Sequence, residues 1–218
     1  LNNDRDAIVL KDKNGDIIWG DKVLAIFARA VLEAVPGATI IGEVKCSKTL
    51  YDDIKAHGGN GIMWKAGHSL IKAKMKETGA LLGGEMSGHI FFKHRFFGYD
   101  DAIYSMFRLL EIVSAREDLD VKRLLDGIPE TFSTPEIRLE VDDEQKFMIV
   151  DKAVKFFKEN GYDVNDVDGA RITFSDGWGL LRPSNTQNVI VMRFEAESEK
   201  RCGEIQHLIE NKLKEFMN

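Results

Sequence analysis

The sequence predicts two fold classes in succession: an α/β domain on a parallel or mixed sheet, then an α+β domain with an antiparallel sheet. Three observations carry this expectation. Between residues 39 and 82, apolar rows at three- and four-residue steps alternate with short apolar runs, giving strand–helix–strand–helix–strand. Beyond residue 132 the order changes to one strand, a helix, three short strands and a helix, the pattern of an antiparallel sheet backed by helices. Between the two, Gly127-Ile128-Pro129 and Ser133-Thr134-Pro135 interrupt the periodicity. The expected segments are therefore 1–20, 21–131 and 132–218.

Residues 1–20 carry the apolar runs Ala7-Ile8-Val9-Leu10 and Ile17-Ile18-Trp19 around Lys13-Asn14-Gly15-Asp16, a hairpin-type turn signal. Residues 21–34 follow as a helix because Val23, Phe27, Ala30, Val31 and Ala34 recur on one face. Asp21 is its expected N-cap and Pro36-Gly37 its stop. A strand at 39–44 delivers Lys45-Cys46-Ser47, and a helix at 47–56 closes at Gly58-Gly59. A second strand, 61–64, delivers Lys65-Ala66-Gly67-His68. Helix 68–78 comes next, with Lys72, Lys74 and Lys76 read as a solvated face. The third strand, 80–82, opens into Gly83-Gly84-Glu85-Met86-Ser87-Gly88-His89. After the polar and aromatic stretch 93–101, a helix at 101–113 is expected to turn Ile103, Met106, Phe107 and Leu110 inward, and a short helix lies near 121–125.

In the second domain Ile137, Leu139 and Val141 alternate with Arg138 and Glu140, which marks a half-buried strand. Helix 146–159 ends at Asn160-Gly161, strands follow at 170–174, 179–181 and 189–194, and helix 198–216 presents Ile205, Leu208, Ile209 and Leu213 on one face. Trp64, Trp178 and the phenylalanine pairs at 91–92 and 96–97 read as core.

A hydrophobic share of 44% with 30% charged residues excludes a disordered chain. No apolar run is long enough to span a bilayer, and no basic segment precedes an apolar core at the start, so neither a membrane partner nor a signal peptide is expected. Cys46 and Cys202 lie far apart without Cys-x-x-Cys spacing, which predicts free thiols in a reducing compartment, the cytoplasm. A net charge of −6 argues against a nucleic-acid partner.

Two stretches carry chemistry. Glu85, Ser87 and His89 alternate with small or apolar residues between glycines, and at a strand end this spacing projects them to one side of an exposed loop. Carboxylate, hydroxyl and imidazole together suit vicinal hydroxyls; the plainer reading is a glycine-rich turn with a solvated Glu and a packed His. Arg182-Pro183-Ser184-Asn185-Thr186 offers a guanidinium, two hydroxyls, an amide and loop N–H groups, which suit a phosphate dianion. A simple Ser-Asn-Thr turn has the same composition. Arg193 shares a strand face with Val189 and Val191, and either lines the same pocket or snorkels from the sheet. Lys45, His68 and the 85–89 loop each follow a strand end, where α/β sheets bind ligands.

Gly84-Glu85-Met86-Ser87-Gly88-His89 resembles the sugar-binding loop of the α-D-phosphohexomutases, in their phosphomannomutase/phosphoglucomutase branch. Glu43-Val44-Lys45-Cys46-Ser47, Met63-Trp64-Lys65-Ala66-Gly67-His68 and Arg182-Pro183-Ser184-Asn185-Thr186 accompany it in the family's order. Met86 stands where members acting on glucosamine phosphate usually carry Gln, which favours the mannose/glucose branch. The resemblance runs from about residue 12 to the end. It implies a sugar-binding α/β domain at 21–131, then a phosphate-binding domain similar to the TATA-binding-protein fold at 132–218, with 1–20 a remnant of a preceding metal-loop domain.

The implied reaction is reversible 1-phosphate/6-phosphate exchange on mannose or glucose, through a phosphoserine on an earlier domain. Lys45 and His68 would face the transferring phosphoryl group, where positive charge and a proton-handling group are needed. Glu85, Ser87 and His89 would meet sugar hydroxyls, and Arg182, Ser184, Asn185, Thr186 and Arg193 the other phosphate. An acidic protein that handles phosphate must gather positive groups locally, and Lys45, His68, Arg182 and Arg193 are the candidates.

Family members hold Mg²⁺ in an Asp-Gly-Asp-Gly-Asp-Arg loop; this chain reads Leu1-Asn2-Asn3-Asp4-Arg5-Asp6-Ala7. Aligned without gaps, Asp4 and Asp6 fall on two metal positions, Asn2 on the third and Ala7 on the arginine. Anchoring on Asp4-Arg5 keeps the arginine but inserts two residues. Either way three oxygen ligands are not all in place.

No Thr-Ala-Ser-His-Asn-like phosphoserine segment occurs, so the chain reads as two of four domains plus a remnant. It is expected to bind hexose phosphates weakly and not to turn over by itself. The rival expectations are a non-catalytic phosphosugar-binding module, a partner of a separate phosphoserine subunit, or a scaffold with silent loops.

Overall fold

The alternating pattern of the first half folds into a four-stranded sheet with helices on both faces in the computed structural model, which describes residue 2 and residues 5–217. The chain divides into two units, residues 1–129 and 130–218. In the first, a hairpin of β1 (Leu10–Lys11) and β2 (Ile17–Ile18) precedes α1 (Gly20–Ala34), β3 (Thr39–Glu43), α2 (Lys48–Ala56), β4 (Asn60–Trp64), α3 (His68–Thr78), β5 (Leu82–Gly84), β6 (Ile90–Phe92) and α4 (Ala102–Ser114). The strand order is β4-β3-β5-β6, with β4, β3 and β5 parallel and β6 antiparallel to β5.

Neighbouring residues of β3 point to opposite faces. Ile40 packs with Phe27, Leu50, Ile54 and Phe92 from α1, α2 and β6, whereas Ile41 packs with Ile71 and Met75 of α3. Burial on both faces is why these strands read as unbroken apolar runs. Full burial of side chains such as Phe27 and Phe92 contributes roughly 1.5–3 kcal/mol each relative to exposure.

Several expectations shift here. Asp21 is not the N-cap of α1: Trp19 occupies that position, and Asp21 lies buried in the first turn. The helix starts early because Gly20 sits directly against the backbone of the 85–88 loop, to which its N–H donates (Met86 O, 3.2 Å). The third strand is Leu82–Gly84 rather than 80–82. Its glycines belong to the sheet because a Cβ on Gly83 would meet Met75 Sδ at 2.9 Å, and one on Gly84 would meet Leu24 and Ile90 at 3.0 Å.

The face of α4 is reversed. Ile103, Met106, Phe107 and Leu110 are exposed, Phe107 by 61%, while Ala102, Ser105, Arg108 and Leu109 are buried. Arg108 can face inward because its guanidinium lies 4.8 Å from the Phe92 ring centroid and donates to the His94 carbonyl at 3.2 Å. Nor is the α3 lysine row uniformly solvated. Lys74 lies 4.1 Å from the Trp64 ring centroid and Lys72 pairs with Asp100 at 3.2 Å; Lys76 alone of the three is exposed. Phe97, expected in the core, is 75% exposed and stacks on Tyr99.

The second unit contains β7 (Phe132–Ser133), β8 (Ile137–Glu140), α5 (Asp143–Glu159), β9 (Asp163–Asn165), β10 (Ala170–Phe174), β11 (Gly177–Pro183), β12 (Val189–Ala196) and α6 (Glu199–Met217). All its strand pairs are antiparallel, in the order β9-β10-β11-β12 with β7 and β8 both on β12. Ile172, Leu181, Phe194, Ile205 and Ile209 join one core between the sheet and its helices. The edge strand β9 escapes sequence reading because Asp163-Val164-Asn165 has a single apolar residue. Among the described residues no helix is long and apolar enough to cross a membrane.

Candidate functional site

Lys45, His68 and the 85–89 loop follow the carboxyl ends of β3, β4 and β5, neighbouring parallel strands, so the sheet brings them to one edge. Local bonds set each one. Ser47 caps α2 by accepting from the Thr49 N–H at 3.1 Å, and Asp21 Oδ2 accepts from the Ser47 N–H at 2.8 Å, which tightens the turn bearing Lys45. Beneath lies Glu43, fully buried. Its Oε1 accepts from the Met86 N–H at 3.3 Å and its Oε2 from the Lys45 N–H at 3.1 Å, while Lys45 Nζ stands 3.6 Å from Oε1. Burial pushes the Glu43 carboxyl above its ordinary pKa; Lys45 opposes this and Glu85 adds to it.

The 85–89 loop is a closed turn, with Gly88 N–H donating to Glu85 O at 3.0 Å and Glu85 N–H to His89 O at 2.9 Å. Ser87 is exposed and His89 half-buried, but Glu85 is buried rather than solvated. Its Oε1 accepts from the Gly67 N–H at 2.8 Å, tying the ends of β5 and β4 together. His89 Nδ1 bonds Asp100 Oδ2 at 3.1 Å and lies 3.9 Å from Asp6 Oδ1. The exposed His68 ring stacks at 6.5 Å from that of His89.

Burial favours protonation of Asp100, but bonds from its own N–H, Lys72 and His89 outweigh it and hold the carboxyl below its ordinary range. An ionised Asp100 favours the Nδ1–H tautomer of His89 and leaves Nε2 as the base. Sequence spacing gives no sign of Asp100, reads Lys72 only as part of a solvated face, and gives Glu43 only as the head of the Glu43–Ser47 motif. Asp100 lies eleven residues past His89 with no spacing signal, and only the β6 return brings it back.

In the second unit, the turn between β11 and β12 carries the other motif. Ser184, 6% exposed, accepts through Oγ from the Thr186 N–H at 3.3 Å and the Gln187 N–H at 3.1 Å, with Asn185 and Thr186 exposed above it. Arg182, at the end of β11, is bonded through Nε to Asp168 at 2.5 Å, a partner the sequence did not reveal. Arg193 does not snorkel. It is 4% exposed in mid-β12, opposite Leu180, 5.9 Å from the Trp178 ring centroid. It belongs to a buried row in which Arg171 lies 3.7 Å from that ring centroid and Trp178 Nε1–H donates to Glu195 at 2.9 Å.

Of the two expected metal ligands, Asp4 lies outside the described residues, and the carboxylate of Asp6 accepts from Asn2 Nδ2 at 2.5 Å. Among the described residues the grouping close enough to share an ion is Asp6, His89 and Asp100. A ring nitrogen already bonded to one of two carboxylates does not fit the near-octahedral oxygen shell of Mg²⁺.

A mixed α/β sheet with polar loops at its strand ends is followed by an antiparallel α+β unit whose β11–β12 turn presents Ser184, Asn185 and Thr186, a succession of two domain classes. Residues 19–132 match the phosphoglucomutase/phosphomannomutase alpha/beta/alpha domain III, and residues 136–212 match the C-terminal domain of the same family. The chain belongs to the phosphoglucomutase/phosphomannomutase family and covers its C-terminal domains.

It is 45% identical over 214 residues to a phosphomannomutase/phosphoglucomutase of Pseudomonas aeruginosa, covering 98% of this chain and 46% of that one. A crystal structure of a phosphoglucomutase/phosphomannomutase family protein from Burkholderia thailandensis superposes with a TM-score of 0.88 at 43% identity, over 98% of this chain and 45% of that one. The fold extends to an N-acetylphosphoglucosamine mutase of Aspergillus fumigatus solved with GlcNAc-6P and magnesium, with a TM-score of 0.70 at 15% identity, over 99% and 48% of the two chains. The chain spans about half the length of these relatives.

Proposed function

We propose that the chain binds hexose phosphate for reversible 1-phosphate/6-phosphate exchange on mannose or glucose, with a phosphoserine outside these 218 residues carrying the group. The observation that carries this reading is the convergence of Lys45, Glu85 and the His89–Asp100 pair at the carboxyl ends of parallel strands. Lys45 supplies positive charge for the phosphoryl oxygens. Glu85 Oε2 and the Ser87 hydroxyl meet sugar hydroxyls.

We assign the hydroxyl proton to His89 Nε2 rather than to His68, because the bond from His89 Nδ1 to Asp100 orients the His89 ring with Nε2 turned away from that carboxylate and able to accept it. In the second unit, the Ser184–Thr186 turn and the terminal nitrogens of Arg182 receive a phosphate dianion. The unbridged, buried Cys46 and Cys202 support a cytoplasmic location. The named activities of the relatives and the sugar phosphate bound by the Aspergillus enzyme support the substrate class.

Calorimetric titration with glucose 1-phosphate and mannose 1-phosphate tests the reading. The unaltered chain should bind at least one of them, and Glu85→Ala and Arg182→Ala should each weaken binding about tenfold or more. No binding by the unaltered chain would remove the reading in favour of a silent scaffold.

A further inference from the structure

We propose that Lys146 is the positioning residue of the 184–188 turn, a role that deepens, and rests on, the reading of this turn as a phosphate site. Lys146 stands on the first turn of α5 and is only 2% exposed. A buried ammonium persists only when paired and hydrogen-bonded. Both conditions hold. Asp143 Oδ1 lies 2.5 Å from Nζ, and Nζ donates at 2.9 Å to the main-chain carbonyl of Gln187, 41 residues further along. The positive end of a helix dipole is an unfavourable place for a cation, so helix stability alone gives no reason for a lysine here.

Gln187 is the base of the turn. Its carbonyl also accepts from the Val189 N–H at 2.9 Å, its side-chain Oε1 accepts from Arg138 at 3.0 Å, and its N–H donates to Ser184 Oγ at 3.1 Å. Next to it, the Asn188 carbonyl accepts from the Val141 N–H at 3.0 Å, just before α5. The base is thus bolted to the β8–α5 corner, and Ser184, Asn185 and Thr186 are presented above it. Gln187-Asn188 contains no proline to stiffen the turn, so its order depends on these bonds. Two of them are charge-assisted, the stronger class: Arg138 holds the Gln187 side chain, and Lys146 holds its main-chain carbonyl, the one that fixes the backbone of the turn.

The test uses the 218-residue chain with Lys146→Met and Lys146→Arg, read by amide hydrogen exchange and by glucose 1-phosphate titration. Lys146→Met should speed exchange at Thr186 and Gln187 about tenfold while leaving Ile172 and Leu180 of the core strands unchanged, and should weaken glucose 1-phosphate about tenfold. Lys146→Arg, which keeps a donor and the charge, should restore much of both. Unchanged exchange in the turn, or equal acceleration in turn and core, would overturn the proposal. If Lys146→Met does not fold, Lys146→Gln gives the same comparison. If the unaltered chain binds no glucose 1-phosphate, the phosphate reading fails, and the exchange measurements still decide what Lys146 does.

Discussion

Glu43 is a carboxyl with no exposed surface, held between two loops by the N–H groups of Lys45 and Met86. Burial raises its folded-state pKa above the ordinary 4.5, only partly opposed by Lys45. Above 4.5, and up to that raised value, the folded chain keeps a proton that the unfolded chain has released, so this residue's contribution to stability falls as pH rises through the window. Glu43→Gln removes that dependence. Thermal unfolding from pH 4.5 to 8 should show wild type losing ground to the Gln variant as pH increases. A gap that stays constant with pH would mean that the Glu43 carboxyl is not raised above its ordinary range in the folded chain. Residues of this kind were the least legible part of the site. Glu85, Ser87 and His89 announce themselves by spacing within seven residues, whereas Asp100 and Asp168, and the bond from Met86 to Glu43, act across folds of the chain that no local pattern records.

At the scale of elements, most helices and strands were legible because each has one dominant period, and errors fell where two faces competed. α4 carries apolar residues on two stripes, and periodicity cannot tell that Arg108 rather than Phe107 faces inward when an aromatic ring and a carbonyl accept the guanidinium. Element ends were displaced for another reason: contacts with distant backbone decide them. Gly20 shows this directly, since a Cβ there would lie 2.5 Å from Glu85 O and 2.6 Å from Met86 O, both main-chain atoms that cannot rotate away. Gly20→Ala should therefore push the 85–88 loop from α1 and cost about 1–3 kcal/mol, as overpacking does elsewhere. Urea unfolding measures the loss, and amide shifts confined to Met86–Gly88 and the start of α1 would locate it. A stability change under about 0.5 kcal/mol, the range of ordinary surface substitutions, would mean the contact is loose.

For the molecule as a whole, composition excludes disorder and the pattern changes after residue 131, while the structure has two units, 1–129 and 130–218, with their own cores. On the proposed reading, what the whole chain does depends on a phosphoserine that no recognisable segment of its 218 residues supplies. Phosphoryl transfer is mainly positioning and electrostatic stabilisation, and those need a donor in line with the attacking hydroxyl. In the proposed reaction Lys45 and the His89–Asp100 pair would provide charge and a proton route, but neither is a phosphoserine. Phosphate monoesters are among the slowest compounds to react unassisted, so a site without its donor has no background rate to reveal.

The 218-residue chain should bind glucose 1-phosphate and yet form no glucose 6-phosphate in a coupled dehydrogenase assay, even with glucose 1,6-bisphosphate added. Adding the separately produced first half of the Pseudomonas aeruginosa relative is the informative second arm. Turnover appearing only then would support a site completed by a phosphoserine from outside this chain. Turnover by the chain alone would instead require a nucleophile within it, and Ser87, the exposed hydroxyl of the 85–89 loop, would be the first to replace.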